Sequence, residues 1–320
     1  MKAIAPVSLD YDISLIDDFD LGTDGRTGTY VIQDEELTLV ETSASPSVPY
    51  IIQGLEDLNL KLEDVRWIIV THIHLDHAGG AGLLLEKCPN AKVVVHPRGE
   101  RHLADPSKLI AGARAVYGDQ FDKLFDPIVP IPEDRLVVKN DGDVLPIGER
   151  TLTFYDTPGH AKHHFSIHDS KSNGIFTGDT IGLQYPKLKK DGIHLYLPST
   201  SPNQFDPDAM LNSLARIEAL GVDRIYFGHF SVSDEPQEVY RQVREWLPTF
   251  VEAAEVAGAE SDDFAKMHEI AHNHLSEKIT SYLRSKGVPD DHPEYQVLRL
   301  DMDVCAMGLA DYIMKKKKKK

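Results

Sequence analysis

Thr71-His72-Ile73-His74-Leu75-Asp76-His77-Ala78-Gly79-Gly80 places three imidazoles and a carboxylate in six consecutive residues, directly behind the apolar run Trp67-Ile68-Ile69-Val70. No other stretch limits so sharply what the chain can fold into. A short apolar run with β-branched residues reads as a buried strand, and polar donors crowded at its end must be delivered to the rim of a sheet. Neutral imidazole nitrogens with a carboxylate make the borderline-soft donor set that zinc, manganese or iron prefers. A spacing of two puts His72 and His74 on the same side of an extended chain, while Asp76 and His77 lie past the strand end and can turn toward a second ion.

The same construction recurs downstream. Thr157-Pro158-Gly159-His160 follows the strand-like Thr151 to Tyr155, Phe176-Thr177-Gly178-Asp179 ends another apolar run, and Tyr226-Phe227-Gly228-His229 ends a third. In each, β-branched or aromatic residues lead to a glycine or proline turn and then to one potential ligand. Gly159, Gly178 and Gly228 directly precede three of the ligands, as expected where the backbone approaches an ion closely or takes unusual dihedrals. A lone histidine beside an apolar run is usually a satisfied one, but His72, His74, Asp76, His77, His160, Asp179 and His229 form an ordered set.

These motifs resemble the ligand signature of the metallo-β-lactamase superfamily over roughly residues 10 to 232, most closely its glyoxalase II and lactonase-like branch. The resemblance implies an α+β fold, an αββα sandwich, here with a C-terminal all-helical extension. It implies that His72, His74 and His160 hold one metal, that Asp76, His77 and His229 hold a second, and that Asp179 bridges them. The cofactors are then two divalent ions, Zn2+ first, with Mn2+ or Fe2+ as alternatives. A metal-bridging hydroxide is expected to attack a small-molecule ester, lactone or thioester, with Asp76 passing a proton to the leaving group. Tyr185 and Tyr196, in the stretch after Asp179, are candidates for a substrate or oxyanion contact. Three other readings stand beside this one: a mononuclear iron, sulfur dioxygenase-like oxidoreductase using His72, His160 and Asp179, a phosphodiesterase of the same superfamily, and a metal-binding protein without turnover. The chain departs from the pattern at Leu39-Val40-Glu41-Thr42-Ser43, where many relatives carry an Asp that braces the metal-binding loop. Glu41 is expected to brace it with a longer arm.

With 320 residues the chain exceeds one average domain. Short β-rich runs alternate with helical patterns from Tyr11 to about Phe230, and after Asp234 the strands stop. Residues Pro236 to Ala257, Asp262 to Ser285 and Pro293 to Met314 read as three long helices. The expected partition is a metal-binding hydrolase domain over 1–234, a helical extension over 235–314, and a disordered lysine tail over 315–320. The extension is expected either to contribute to the substrate pocket or to support a homodimer.

The net charge of −17 includes the lysine run, so the body repels phosphate backbones and nucleic acid is not an expected partner. No apolar run reaches membrane-spanning length and the start lacks an export pattern. Two well-separated cysteines, Cys88 and Cys305, suit a reducing compartment. A cytoplasmic enzyme acting on a small-molecule substrate, without a membrane partner, is the expectation.

One motif points elsewhere. His268-Glu269-Ile270-Ala271-His272 matches the zinc-protease pattern His-Glu-x-x-His on a helix, but His274 does not supply a third ligand at the required spacing. A solvated or capping cluster is expected there. His163 and His164 suit the pocket rim rather than ligation, His96 suits turn packing, and Arg114 suits a surface ion pair.

Overall fold

In the computed structural model, which describes residues 4–318, the β-rich part opens with β1 (Val7–Ser8), β2 (Ile13–Asp17), β3 (Gly28–Ile32), β4 (Leu37–Val40), β5 (Val65–Ile69), β6 (Lys92–Val95) and β7 (Leu136–Val138), which lie side by side in chain order in one sheet. Antiparallel pairing joins β1 to β4, and β4 to β7 run parallel. The parallel neighbours need crossovers, and helices supply them: α1 (Val48–Asp57) between β4 and β5, then α2 (Leu75–Ala78) and α3 (Ala81–Lys87) between β5 and β6. Between β6 and β7 come α4 (Glu100–Ala104), α5 (Ser107–Tyr117) and α6 (Phe121–Phe125).

A second sheet contains β8 (Val144–Pro146), β9 (Thr151–Asp156), β10 (Phe165–Asp169) and β11 (Gly174–Phe176). The chain then passes through the separate two-stranded ribbon of β12 (Leu183–Gln184) and β13 (Tyr196–Leu197). It returns to the second sheet with β14 (Arg224–Tyr226), parallel to β11, and β15 (Val232–Ser233).

Strand alternation explains why the sheets stack. Leu15, Tyr30, Val40, Ile69 and Val94 of the first sheet share one core with Leu152, Phe154, Phe165, Ile167, Phe176 and Tyr226 of the second. Their neighbours Ile16, Val31, Leu39, Ile68 and Val93 point the other way, onto Ile51 and Leu55 of α1 and Leu84 and Leu85 of α3. Central parallel strands are therefore apolar on both faces, as a sheet covered on both sides requires.

Chain contacts separate the molecule into two units. The first takes in the chain up to Asp156, with His163–Gly178 and Val222–Asp234. The second takes in Thr157–Lys162, Asp179–Gly221 and everything from Glu235. A single boundary at 234 therefore does not describe the chain. The loop segments join the helices because they share one apolar core: Leu183, Tyr185, Leu195, Leu197 and Met210 pack with Phe250, Leu275, Met302 and Leu309.

This second unit contains α7 (Pro186–Lys190), α8 (Pro207–Glu218), α9 (Pro236–Glu260), α10 (Phe264–Ser285) and α11 (Glu294–Lys318). The last three match the expected long helices, and the end of α11 corrects the expectation of disorder for Lys315 to Lys318; Lys319 and Lys320 lie outside the described residues. Lys315 Nζ donates to Asn203 O at 2.7 Å, Lys316 Nζ lies 3.2 Å from Glu255 and Lys317 Nζ lies 2.6 Å from Asp262. Cations at a helix C-terminus also complement its dipole, so a lysine run there extends the helix. Among the described residues no helix is long and apolar enough to cross a membrane.

Candidate metal centre

In the first unit, β5 ends at Ile69 and the chain turns directly into the histidine cluster. His74 takes an extended conformation as the residue before α2, so Asp76 and His77 lie in that short helix rather than in the strand. His72 is fully buried and His77 nearly so, while Asp76 keeps 26% of its side chain exposed. His72 Nε2 and His74 Nδ1 converge to 3.0 Å. Two nitrogens on one tetrahedral zinc, at about 2.0–2.1 Å each, lie roughly 3.3 Å apart, so the pair is close to ligating geometry.

His229, delivered by the turn after β14, completes a second convergence. Ligand atoms of Asp76, His77 and His229 lie within 4.8 Å of one another. His229 Nε2 is 3.7 Å from Asp76 Oδ2. The donor set, its burial and its convergence fit a divalent ion.

Glu41 carries the predicted brace. It is 2% exposed, takes a positive φ of 71° at the end of β4, and sends its carboxylate to the loop. Oε1 accepts from Thr71 N at 3.2 Å and from the Thr71 hydroxyl, and Oε2 is 3.4 Å from His77 Nδ1. The longer arm therefore reaches both ends of the His72–His77 turn. Gly178, at φ 47°, follows β11; a Cβ there would stand 2.5 Å from Thr71 Oγ1 and His164 Nε2, so only glycine lets this turn pass the histidine loop.

His160 and Asp179 belong to the second unit. His160 follows Gly159, which has φ 138° and no room for a Cβ against the Met210 backbone at 2.4 Å. Ser213 Oγ donates to Pro158 O at 2.6 Å and Asp206 N to Gly159 O at 2.8 Å, which fixes the turn on α8. His160 Nε2 lies 3.7 Å from Asp179 Oδ2, and both residues are buried.

The remaining candidates separate clearly. His163 and His164 flank His72, with ring centroids at 6.2 and 5.0 Å. His96 packs on Phe165 with Nε2 3.1 Å from Asp156, and Arg114 forms a surface pair with Asp122 at 2.6 Å. Tyr196 is buried, its hydroxyl 3.2 Å from Gln184 Nε2 and 3.4 Å from His194 Nδ1. Tyr185 lies in the helical core at 1% exposure, where burial, then Asp301 and Cys305, push its phenol well above its ordinary range. His268 pairs with Asp303 at 3.0 Å, and its ring is 6.4 Å from that of His272. Among the described residues neither belongs to a group of three potential metal ligands.

Sequence reasoning missed Arg26. It is 7% exposed, pairs with buried Asp20 and reaches to 3.8 Å from Asp76 Oδ2. A lone arginine in a loop carries no sequence signal, because its meaning comes from burial beside a carboxylate fifty positions away. Ser199 and Ser201, which touch His160 and Asp179, were missed for the same reason.

With the layered sheets and the clustered ligands in place, comparison with known proteins is decisive. The family model of the metallo-beta-lactamase superfamily matches residues 22–229. The chain belongs to the metallo-beta-lactamase superfamily. Its α+β sandwich with C-terminal helices is that superfamily's fold. A metallo-beta-lactamase fold-containing protein of Sulfurisphaera tokodaii is 27% identical over 62% of this chain and 71% of its own. A hydroxyacylglutathione hydrolase of Rhodopseudomonas palustris is 27% identical over 70% of this chain and 74% of its own. In fold, a solved metallo-beta-lactamase family protein from Thermus thermophilus matches with a TM-score of 0.66 at 17% identity, covering 97% of this chain and 95% of that one.

Proposed function

We propose that this member of the superfamily is a binuclear metallo-hydrolase of small-molecule esters, lactones or thioesters, with Zn2+ as its metal. The observation that carries the reading is the convergence of Asp76, His77 and His229 beside the His72–His74 pair. His72, His74 and His160 are proposed as ligands of one ion, Asp76, His77 and His229 of the other, and Asp179 of both. Among the substrate classes, the hydroxyacylglutathione hydrolase relative favours a thioester.

When bound, two divalent ions supply an activated water at neutral pH and polarise a carbonyl. The chain's own residues supply the rest. Glu41 orients His77 and the Thr71 backbone, so the donors are preorganised before an ion arrives. Asp76, the most exposed of its group, is the side chain placed to take up the proton that the attacking water loses and pass it to a leaving thiol or alcohol. Arg26, with its guanidinium 3.8 Å from Asp76 Oδ2, sets a fixed positive charge beside that carboxylate.

The test is metal content per chain on protein purified without added metal, paired with a thioester, lactone and ester panel. Two zinc ions, reduced by His160→Ala, together with hydrolysis of at least one class, are expected. One iron ion with dioxygen consumption would move the assignment to the dioxygenase, and no metal in any form would sink it.

A further inference from the structure

Within the second unit one short strap touches both potential ligands, His160 and Asp179. Pro198-Ser199-Thr200-Ser201 follows β13, and its side chains reach two different partners. Ser199 and Ser201 face His160 and Asp179. Ser199 Oγ donates to Asp179 Oδ2 at 3.1 Å, Ser199 O lies 3.0 Å from His160 Nδ1, and Ser201 Oγ lies 3.4 Å from His160 Nε2. With Nδ1 carrying the proton toward the Ser199 carbonyl, Nε2 keeps the lone pair a metal needs.

Thr200 faces the opposite way, onto α11. Its hydroxyl donates to Cys305 O at 3.0 Å, and it is fully buried. One turn further along α11, Gly308 lets the helix touch the strap: a Cβ there would stand 1.9 Å from Thr200 O and 2.7 Å from Ser201 O. Both contacts are to backbone, so neither can be relieved by a side-chain rotation. Cys305 lies inside α11, so the Thr200 hydroxyl ties the strap to the backbone of that helix.

We infer that α11 positions His160 and Asp179 for metal binding through this strap, with Thr200 and Gly308 as the positioning residues. The inference rests on the proposed ligand roles of His160 and Asp179 and adds a task for the C-terminal helix that those roles do not require. Neither Thr200 nor Gly308 touches a ligand. Their effect passes through the placement of Ser199 and Ser201, and ligand groups need to be held to within about 0.5 Å.

The test measures zinc affinity of the full chain by competition with a chromophoric chelator, alongside thermal melts of the metal-free protein. Thr200→Val, nearly isosteric, is expected to weaken one of two zinc ions by about tenfold or more with the metal-free melt little changed. Thr200→Ser, which keeps the hydroxyl, is expected to restore affinity. Gly308→Ala, which must displace the strap, should weaken the same ion and serves as the independent second variant. If Thr200→Val and Gly308→Ala hold both ions as tightly as the wild type while His160→Ala loses one, this inference is overturned and the ligand assignment stands. Loss of affinity only in step with loss of metal-free stability, without rescue by Thr200→Ser, likewise overturns it as a purely structural effect. A wild-type chain that binds no zinc removes the ligand assignment and this inference together.

Discussion

Two regions of this chain are equally rich in histidine, and they behave oppositely. In the turn after β5, His72, His74 and His77 are pressed together with Asp76 by a buried strand end, a braced loop and a returning His229. On α10, His268, His272 and His274 lie half-buried along one helix, and two of them have carboxylates close by, Asp303 and Glu252. Histidine density by itself therefore says little. What converges donors is a rigid rim with several chain segments arriving at one point, whereas a single helix spaces its histidines about one turn apart and leaves each to find a partner of its own.

That contrast can be broken at several points. The largest effect is expected from His77→Ala, which should abolish binding of one metal ion in direct metal analysis; the double substitution His268→Ala with His272→Ala should change metal content not at all. Metal loss from the helix pair, and none from His77→Ala, would invert the comparison. Next comes Glu41→Ala, expected to lower metal affinity about 10- to 100-fold while leaving the ligands in place, as read by chelator competition.

A smaller effect separates the regions by pH. Asp18 at the end of β2 is fully buried; burial, offset by Thr29 and reinforced by Asp17 and Glu41, holds its carboxyl well above the ordinary 3.8. The folded state therefore keeps a proton that the unfolded state has released, so stability declines as pH rises from about that value through the folded-state pKa. Asp18→Asn should remove this decline: urea melts of metal-free protein are expected to show the variant more stable than wild type at pH 7 and no better below pH 3.8. An equal gain at both pH values would contradict a buried acid. Least is expected from replacing Lys315, Lys316 and Lys317 by serine, since exposed ion pairs contribute about 0–1 kcal/mol each; a melt shifted by more would show that the end of α11 matters to the fold.

Much of the candidate site was legible because its candidate ligands follow a local grammar of apolar run, turn residue, then donor. The strand-like run Thr151 to Tyr155 falls within β9, and the three late helices fall where periodicity put them. Short elements escaped: β1, β12, β13 and β15 have two residues each, too few for any period to register, and their existence depends on a partner strand. The partition also escaped, since Asp179–Gly221 joins the helices through side chains that look, in sequence, like any other apolar loop residues.

The order and type of the candidate ligands, the family they belong to and the three helices were thus set by the sequence, because each depends on neighbours within a few positions. The tertiary structure alone decided which side chains support them. Arg26 beside Asp76, Glu41 spanning Thr71 and His77, and Thr200 locked onto Cys305 are contacts between residues thirty to one hundred and five positions apart. Such contacts arise only when sheets stack and helices pack, where burial turns an unremarkable arginine, glutamate or threonine into a group that must find a partner.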